Sequence, residues 1–582
     1  MKKSFIKILF YEIARMIKAK KALFLFCVTL CVFDALLAFG YIFFIGKLTE
    51  SLTLLNSSAV KNTVLYVFGF FSLIILLREF SNAILNYYFD KQRMLVTGKL
   101  KTDFFNKVAS FDVLEFEKPD FLDSLDKAKN GLDGSIDGLI NLELIIAQSV
   151  VYVLLVAFYM ASINPLLLIV VLGAFIPTMF TYVFKNKYKS ESEDKSAMYR
   201  RQMNKYESCI TDKVFFKESR HLALFNFFIR KFNSSAKLFK KYKTKEIKKL
   251  TWIGIITNAS QFLGFISIFV VVYCLSKAGS IKAGTIVAVI ASVNLLFSHF
   301  KELFNYNIAG LADSYTGMKF FHAVMTKETS NKNKTGEMEI KKIRLTDVSF
   351  SYPNSEKKAL KSVNLEINAG EAICIVGKNG SGKSTLSKIL LGLYQPASGE
   401  IIINESKNAS EEAHLLLQKN SSAVFQNFNR YNLSLEENIN VADVTKSVKK
   451  ISQAIEQLSD TLPDKQNTML SREFGGVDLS MGQWQKLAIE RGLFKDASII
   501  IFDEPTSAID PLLEMDLLNS MLDNKTHSIK IIISHRIGIA TRADKILLMD
   551  KGEIIESGKH DDLMLKDTEY SKLFKTQQQW YK

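Results

Sequence analysis

The chain has 582 residues, of which 48% are hydrophobic, and it carries a formal net charge of +16. The length allows more than one domain, and the mean hydropathy of +0.10 is high for a soluble protein. Long apolar runs beside basic segments are typical of a membrane protein with positively charged cytoplasmic loops. Nucleic-acid binding would not explain the apolar runs, so we expect no nucleic-acid partner. The five cysteines are scattered and indicate no disulfide framework.

The first 325 residues contain six apolar segments, each close to the roughly 20 residues that a membrane-spanning helix needs. A basic segment, MKKSFIKILFYEIARMIKAKK, precedes the first of them and is interpreted as an amphipathic elbow helix that stays on the cytoplasmic side. Its apolar continuation is too long for a signal peptide. The spans are predicted near 22–46, 62–89, 138–162, 165–185, 252–276 and 283–306.

The distribution of Lys and Arg residues predicts how these spans are oriented in the membrane. The segments 91–136 and 186–250 are rich in Lys and Arg and are predicted to be cytoplasmic. The turn at Asn164–Pro165 and the loop SKAGSIKAG are short and are predicted to face outside. The sequence therefore predicts a multi-pass protein of the lipid bilayer, in the cell membrane, with both termini in the cytoplasm.

One face of the second span is polar. Arg78, Asn82, Asn86 and Asp90 follow one another at intervals of four residues, which places them on one side of a helix. Ionisable groups inside a membrane usually face a cavity or a partner. Two interpretations stay open: contact with a transported molecule, or a structural ion pair of Arg78 with Asp34 or Glu143.

After a polar linker at 326–339, short β-branched runs alternate with helical stretches, which is typical of an α/β domain. The stretch ICIVGKNGSGKST, 373–385, fits the phosphate-loop pattern G-x-x-x-x-G-K-[ST] between a strand and a helix. Lys383 is predicted to reach the β- and γ-phosphates, and Ser384 to bind Mg²⁺. The predicted nucleotide-binding residues here are Gly377, Lys378, Asn379, Gly380, Ser381, Gly382, Lys383, Ser384 and Thr385.

Two later strands end in polar residues that suit phosphoryl transfer. SIIIFDEP, 498–505, presents Asp503, predicted to hold Mg²⁺ through water, and Glu504, predicted to polarise the attacking water. SIKIIISHR, 528–536, ends near His535, predicted to contact the γ-phosphate. Glu504 and His535 are the predicted catalytic residues, and ATP and Mg²⁺ the predicted cofactors.

These motifs together resemble the ATP-binding cassette (ABC) superfamily, specifically exporters that carry membrane and nucleotide domains on one chain. The resemblance is specific over 340–565 and rests mainly on topology before that. It implies a fold class of an α-helical six-span ABC exporter-type transmembrane domain followed by an α/β P-loop ATP-binding cassette. The implied division is a transmembrane domain at 1–325, a linker at 326–339 and a cassette at 340–582.

The resemblance also implies roles for further residues. Tyr352 of FSYP would stack on adenine, and Gln426 of VFQN would be the lid glutamine that contacts nucleotide and Mg²⁺. SAID, 507–510, is similar to the loop that crosses to the partner subunit, and residues 550–564 to the closing β-hairpin and helix of the cassette. The segments 116–125 and 216–228 would carry short coupling helices that contact the cassettes.

In the same family pattern, LSMGQ, 479–483, is the signature motif, which binds the γ-phosphate of ATP held by the facing subunit. Ser480 fits a helix N-cap, and Gln483 completes an S-x-x-Q capping box. The family usually has glycine where Met481 stands. Methionine is compatible with ordinary helical φ, so we expect Ser480, Gly482 and Gln483 to contact the nucleotide.

With one phosphate loop per chain, the working unit is expected to be a dimer: a homodimer by preference, since Glu504 and His535 are both present, or a heterodimer. EFGGVDLSMGQWQKLAIERGLF, 473–494, looks most like bacterial peptide exporters such as lanthipeptide transporters, so the expected cargo is a peptide. A lipid flippase or multidrug exporter of the same family is the alternative. A soluble ABC ATPase and an ATP-gated channel are the competing function classes. Because no further domain precedes the elbow helix, we expect no built-in leader peptidase.

Overall fold

The computed structural model describes most of the chain, apart from short gaps and one longer stretch after the sixth strand. The described residues are 2–53, 58–212, 214–329, 338–353, 355–405, 410–446, 452–504, 527–535, 537–566 and 568–579. Most of the predicted linker, 326–339, and all of the segment 507–510 lie outside these ranges. Two compact units result: one comprises Met1–Ala109 and Asp123–Lys327, and the other comprises Ser110–Leu122 and Glu328–Lys582.

The first unit is helical. Its helix Pro119–Leu144 continues through a π-helical turn, Ile145–Val150, into Val151–Ile163, and a second π-helical turn occupies Leu303–Ile308. The other helices are Lys2–Ala19, Lys21–Thr53, Ser58–Ala109, Pro165–Thr211, Phe216–His221, Phe225–Lys277, Ala283–Glu302 and Ala309–Thr326.

Within the described residues, five helical segments are long and apolar enough to cross a membrane: Lys21–Thr53, Asn62–Ala109, Pro119–Ile163, Phe225–Lys277 and Ala283–Ile308. They contain five of the six predicted spans. The sixth predicted span, 165–185, lies at the start of the helix Pro165–Thr211, where the shorter segment Pro165–Pro177 is apolar.

Glycines allow two of these spans to pack closely. A Cβ atom at Gly284 would lie 2.3 Å from the Gly46 carbonyl oxygen, and one at Gly46 would lie 2.8 Å from the Ala288 side chain. Small residues of this kind are what membrane helices use to bring their backbones together. The helices Lys21–Thr53 and Ala283–Glu302 therefore share a contact that a larger side chain would separate.

The ion pair of Arg78 with Asp34 or Glu143, one of the two open interpretations, is not formed among the residues that the structure describes. The Gln148 side-chain amide donates to Asp34 over 2.7 Å, and the Gln92 amide donates to Glu143 over 3.0 Å. Each amide satisfies one carboxylate oxygen, while Asp34 Oδ1 and Glu143 Oε1 are buried without a hydrogen-bond partner among the described residues. Asn82, Asn86 and Asp90 are exposed in the single chain, as a face that meets a cavity or a partner would be.

The second unit is an α/β domain with two sheets. The antiparallel sheet has the order β2-β1-β4, and the larger sheet has the order β5-β6-β7-β3-β8-β9, with β9 alone antiparallel to its neighbour. The strands are β1 Lys342–Ser351, β2 Lys358–Asn368, β3 Ala372–Gly377, β4 Ser398–Ile403, β5 Ser421–Val424, β6 Ile499–Asp503, β7 Ile529–Ile533, β8 Lys545–Asp550 and β9 Glu553–Gly558. The described helices are Lys383–Leu390, Ser410–Asn420, Leu435–Asn440, Gln453–Asp460, Met481–Phe494, His560–Leu565 and Glu569–Gln578.

The strands β3, β6 and β7 form the centre of the larger sheet and are almost wholly buried. Their near-continuous Ile and Val residues are typical of parallel strands that are covered on both faces. Because parallel strands end at the same edge, the residues that follow β3, β6 and β7 come together there. The predicted closing hairpin is also present, as β8 and β9 followed by the helix His560–Leu565.

In the first unit, a cluster of ionisable groups holds the elbow helix, Lys2–Ala19, against the helices Ser58–Ala109 and Ala309–Thr326. Glu12 is 1% exposed, and its carboxylate lies 3.8 Å from His322 Nδ1. Arg15 lies 3.7 Å from Asp103 and stacks over the Phe321 ring at 5.0 Å. Burial raises the pKa of Glu12 to about 7, and the Arg15 charge opposes the rise. Burial, with Lys7 and Arg15, lowers the pKa of His322.

This burial predicts a pH-dependent stability. A carboxyl group whose pKa is raised on folding stabilises the fold at low pH, and that contribution is lost as pH rises from about 4.5 towards 7. Its size is up to roughly 3 kcal/mol for a shift of this extent. We therefore expect the melting temperature of the detergent-solubilised protein to fall over that interval, and to fall less for Glu12→Gln. The exposed Glu207→Gln is the control, and an equal flattening by that variant would contradict the assignment.

Candidate functional site

The phosphate-loop sequence forms a tight turn between β3 and the helix Lys383–Leu390. Gly377 has φ of 151° and Gly382 has φ of 105°, which are backbone angles that only glycine adopts readily. A Cβ atom at Gly377 would lie 2.2 Å from the Met549 carbonyl oxygen, and one at Gly382 would lie 2.8 Å from the Ala359 carbonyl oxygen. The two glycines thus fix the path of a loop that ends at a helix N-terminus, where anionic groups bind.

Lys383 lies inside this loop and is 6% exposed. Its ammonium group donates to the carbonyl oxygens of Gly377 and Lys378, each over 2.9 Å. Burial lowers the pKa of Lys383, while the nearby carboxylates of Glu504 and Asp503 oppose that effect. The loop therefore holds a positive charge at its centre.

The two carboxylates predicted at the end of β6 occupy the same edge of the sheet. Burial raises the pKa of Asp503, and the neighbouring Glu504 charge adds to the rise, while a hydrogen bond from Ser384 and the Lys383 charge oppose it. Glu504 has φ of 50° and donates its backbone N–H to the Ile533 carbonyl oxygen over 3.0 Å. This left-handed backbone turns the side chain away from the strand direction.

Glu504 lies between two of the other predicted residues. The Gln426 amide donates to Glu504 Oε2 over 2.6 Å, and His535 Nε2 lies 2.6 Å from Glu504 Oε1. Gln426 follows β5 and His535 follows β7, so three strand ends deliver these side chains to one place. The carboxylate is held in a defined orientation at both of its oxygens.

A cavity of about 690 Å³ lies beside the loop and is of the size usual for small-ligand sites. Most of the predicted nucleotide residues line it: Tyr352, Asn379, Gly380, Ser381, Gly382, Lys383, Ser384, Thr385, Gln426, Glu504 and His535. The remaining lining residues are Ser355, Lys357, Lys358, Ala359 and Lys551. Gly377, Lys378 and Asp503 belong to the surrounding loop and strand.

Tyr352 is fixed at one side of this cavity. Its hydroxyl lies 3.1 Å from Thr385 Oγ1, and its ring packs edge-on against Phe350 and Tyr394 at 5.3 and 5.9 Å. An aromatic ring held in this way at a cavity wall can stack on a planar base.

The signature sequence has the local structure that was predicted, but it does not line this cavity. The helix Met481–Phe494 begins after Ser480, whose side chain accepts from Gln483 N over 3.3 Å, while Gln483 Oε1 accepts from Ser480 N over 2.8 Å. This confirms the capping box. Met481 lies inside the helix with ordinary φ and is 45% exposed, and its sulfur lies 2.7 Å from Arg430 Nη2.

Gly482 meets no structural requirement among the residues that the structure describes. Its φ is not in the left-handed region, and a Cβ atom there would meet none of those residues within 4 Å. The first turn of this helix presents free N–H groups and a partial positive charge. The open space at Gly482 is therefore suited to a large anionic group that approaches from outside the chain.

Comparison with known proteins agrees with this geometry. Residues 360–507 match the ABC transporter family model. The chain is 27% identical to the subtilin transport ATP-binding protein of Bacillus subtilis over 572 residues, which cover 95% of this chain and 91% of that protein. It is 32% identical to the nisin transport ATP-binding protein of Lactococcus lactis, with 63% of each chain covered. An ATP-dependent lipid A-core flippase of Idiomarina loihiensis is 30% identical over 58% of this chain and 59% of its own.

The fold extends the similarity to the whole molecule. A bacterial Atm1-family ABC exporter with ATP bound superposes with a TM-score of 0.75, at 20% identity, covering 96% of this chain and 98% of that one. The chain contains an ABC transporter ATP-binding domain and has the ABC exporter fold. The cavity beside the phosphate loop accordingly belongs to an ATP-binding domain, and the helical unit is the part of the exporter fold that contains the candidate membrane spans.

Sequence reasoning missed three lysines of the ABC site. Lys357 and Lys358 follow the FSYP motif, and Lys551 lies in the turn between β8 and β9. Lysines are common in polar loops, and only the fold brings these three to the rim of the cavity. They add positive charge to the lining of the cavity, which suits a polyphosphate.

The predicted contact of the segment 116–125 with the ATP-binding unit is present, but it begins earlier in the chain, in the segment Ser110–Leu122, which belongs to the same compact unit. A short 3₁₀ helix, Val113–Glu117, places Val113 and Leu114 against the core of that unit. The Glu117 carboxylate accepts a hydrogen bond from the Tyr394 hydroxyl, which also accepts one from Lys388 over 3.0 Å. Lys388 is in the helix that follows the phosphate loop, and Tyr394 packs against Tyr352.

The predicted coupling segment 116–125 therefore begins inside this contact. The other predicted coupling segment, 216–228, contains the short helix Phe216–His221. No sequence motif relates Glu117 to Tyr394, which are 277 positions apart.

The position of Glu504 predicts the effect of neutralising it. Glu504→Gln keeps the shape of the side chain but removes the charge that can accept a proton from water. We expect steady-state ATPase activity to fall by about 100-fold or more, the usual size of general-base catalysis, while ATP binding persists. Exposed Glu400→Gln, on β4, is the control. Near-normal turnover by Glu504→Gln would reject the assignment.

The helix start at Met481 predicts a modest effect for Met481→Gly. Removing the side chain clears space beside Gly482 but adds backbone freedom near the helix start, at a cost of at most roughly 1 kcal/mol. Because the two effects oppose each other, we expect ATPase activity to change by less than about tenfold. A much larger increase in activity would mean that methionine disables the natural site.

Proposed function

We propose that the chain is one half of a homodimeric ATP-driven exporter that moves a peptide from the cytoplasm to the outside by alternating access. Its division would be a transmembrane domain at 1–325, a linker at 326–339 and an ATP-binding cassette at 340–582. The observation that carries the proposal is the cavity beside the phosphate loop, with Glu504 held between Gln426 and His535, in a chain that also has membrane-spanning helices.

The chemistry proposed for this cavity is hydrolysis of ATP. Tyr352 would hold the adenine, and the loop N–H groups with Lys383 would bind the phosphates. Glu504 would accept a proton from the attacking water, and its hydrogen bond with Gln426 and its contact with His535 would hold its oxygens in position. His535 would also contact the γ-phosphate.

The residues around the loop fit a magnesium ion. Ser384, Asp503 and Gln426 supply hydroxyl, carboxylate and amide oxygens, which are the hard donors that Mg²⁺ uses beside phosphates. The hydrogen bond between Ser384 and Asp503 brings two of these groups together. Mg²⁺ would neutralise phosphate charge as it develops in the reaction.

The dimer follows from the place of the signature helix. Its N-terminus, with Ser480, Gly482 and Gln483, is outside the residues that line the chain's own cavity, yet it is capped and open as an anion site would be. A second copy would bring its signature helix to this cavity and receive the same in return, giving two equal sites. A purified chain that hydrolyses ATP only after addition of a second ABC chain would favour a heterodimer instead.

The charge distribution supports a cytoplasmic cassette. Lys- and Arg-rich segments between spans stay in the cytoplasm, and the segments 91–136 and 186–250 are of this kind. With six spans, the chain would return to the cytoplasm before the cassette begins. Both termini would then be cytoplasmic, in the membrane of a bacterial cell.

The peptide cargo is supported by the subtilin transport protein, which aligns with 95% of this chain. The alternative cargo, a lipid, is supported by the lipid A-core flippase, which aligns with 58% of it. The membrane half of an exporter handles the cargo, so an alignment that includes this half is the more informative one. The alignment with the subtilin transport protein is longer, and it favours a peptide.

The test is ATPase activity of the protein in lipid vesicles with a panel of peptides, lipids and drugs. We expect at least one peptide to stimulate wild-type turnover, and none to stimulate Glu504→Gln. Stimulation by lipids alone would favour the flippase. Ion flow down a gradient without stoichiometric ATP use would indicate a channel and overturn the exporter.

A further inference from the structure

A groove of about 580 Å³ lies in the membrane unit, where the elbow helix ends and the first span begins. The elbow helix ends at Ala19 and the next helix begins at Lys21, and residues of this junction line the groove together with Tyr88, Lys91 and Leu95 of the helix Ser58–Ala109. Its walls are mostly apolar, formed by Ala22, Leu23, Phe26, Tyr88 and Leu95, among others. None of these residues belongs to the ATP site.

Three lysines stand around this apolar groove: Lys20, Lys21 and Lys91. All three are exposed, and no acidic residue is among the described residues that line the groove. Lys91 lies 5.6 Å from the Tyr88 ring centre, so its charged end stays near the groove. An apolar slot with a cationic rim suits a molecule that has an apolar chain and an anionic head.

The position of the groove along the two spans indicates which region of the bilayer surrounds it. The first apolar span begins just after Lys21, and the second ends just before Lys91. The rings of Phe26 and Tyr88 meet edge-on at 4.6 Å and hold the two span ends at the same level. Lysine and tyrosine at a span end are typical of the headgroup region of a bilayer. The anionic molecules that a groove at this level meets are the lipids of that leaflet.

We propose that this groove binds one anionic phospholipid, with its phosphate among Lys20, Lys21 and Lys91 and the start of an acyl chain along Leu23, Phe26 and Leu95. The bound lipid would connect the elbow helix to the ends of the first and second spans. The groove is separate from the ATP cavity, since the two have no lining residue in common.

Native mass spectrometry of the full chain in a neutral detergent tests the proposal with dioctanoyl phosphatidylglycerol as the probe. We expect one molecule to be retained per chain, at least tenfold more tightly than dioctanoyl phosphatidylcholine, because only the former has net negative charge. Glycerol 3-phosphate, which has the phosphate without the chains, should not compete.

Two groove variants separate a built site from general attraction to a basic protein. The triple variant Lys20→Gln, Lys21→Gln, Lys91→Gln should weaken binding at least tenfold. The control is Lys237→Gln, Lys241→Gln, Lys245→Gln, which removes the same charge from exposed positions of another helix and should change binding less than twofold. Leu95→Trp keeps every charge but fills the groove, and it should weaken binding as well.

If the control variant weakens lipid binding as much as the groove variant does, binding is nonspecific electrostatic attraction and the proposal is overturned. Unchanged binding by Leu95→Trp, or equal retention of phosphatidylcholine, would overturn it too. ATPase activity and melting temperature confirm that each variant is folded. If the triple variant does not fold, Lys91→Gln alone is expected to weaken binding about threefold, and no change would count against the site.

Discussion

The candidate site depends on opposite charges that lie close together at one edge of a buried parallel sheet. Lys383 comes after β3, Asp503 is the last residue of β6, and Glu504 follows it, while the other residues of these two strands are apolar and, apart from Ala372, buried. Buried charges are tolerated when each has partners, and here the partners are loop carbonyls, Ser384, Gln426 and His535. Because the apolar strands fix the positions of these groups, a nucleotide would meet charges that are already in place.

Hydrogen bonds link the helix that follows the phosphate loop to the segment Ser110–Leu122. Lys388 is one turn beyond Ser384 in that helix, and it shares the Tyr394 hydroxyl with Glu117 from the segment between two membrane helices. Tyr394 in turn packs against Tyr352 at the wall of the cavity. A shift of the phosphate-loop helix would therefore move the partners of Glu117. These contacts, all within one compact unit, connect the phosphate-loop helix to a segment that lies in the sequence between two predicted membrane spans.

Local features were predictable because short stretches of sequence determine them. The glycines of the phosphate loop, the apolar strands and the capping box of Ser480 and Gln483 each depend on residues within a few positions, and all of them occur. The partners of Asp34 and Glu143 were not predictable in the same way. Both acids accept from glutamine amides on other helices, and the spacing along one helix carries no information about its neighbours. The hydrogen bond between Glu117 and Tyr394 was unpredictable for the same reason, as was the position of the three lysines at the cavity. Both depend on packing between residues that are far apart in the sequence.

The central claim is that one chain supplies the phosphate loop of a site and a second copy supplies its signature helix. Mixing two inactive variants tests it directly: Lys383→Ala, which removes the loop charge, and Gly482→Trp, which fills the open space at the signature helix. Each homodimer should lack ATPase activity, since both of its sites are damaged. In the mixed dimer, the intact loop of one chain faces the intact signature helix of the other, so the account predicts that co-expression restores activity. No activity above that of the separate variants, with mixed dimers present and folded, would contradict it.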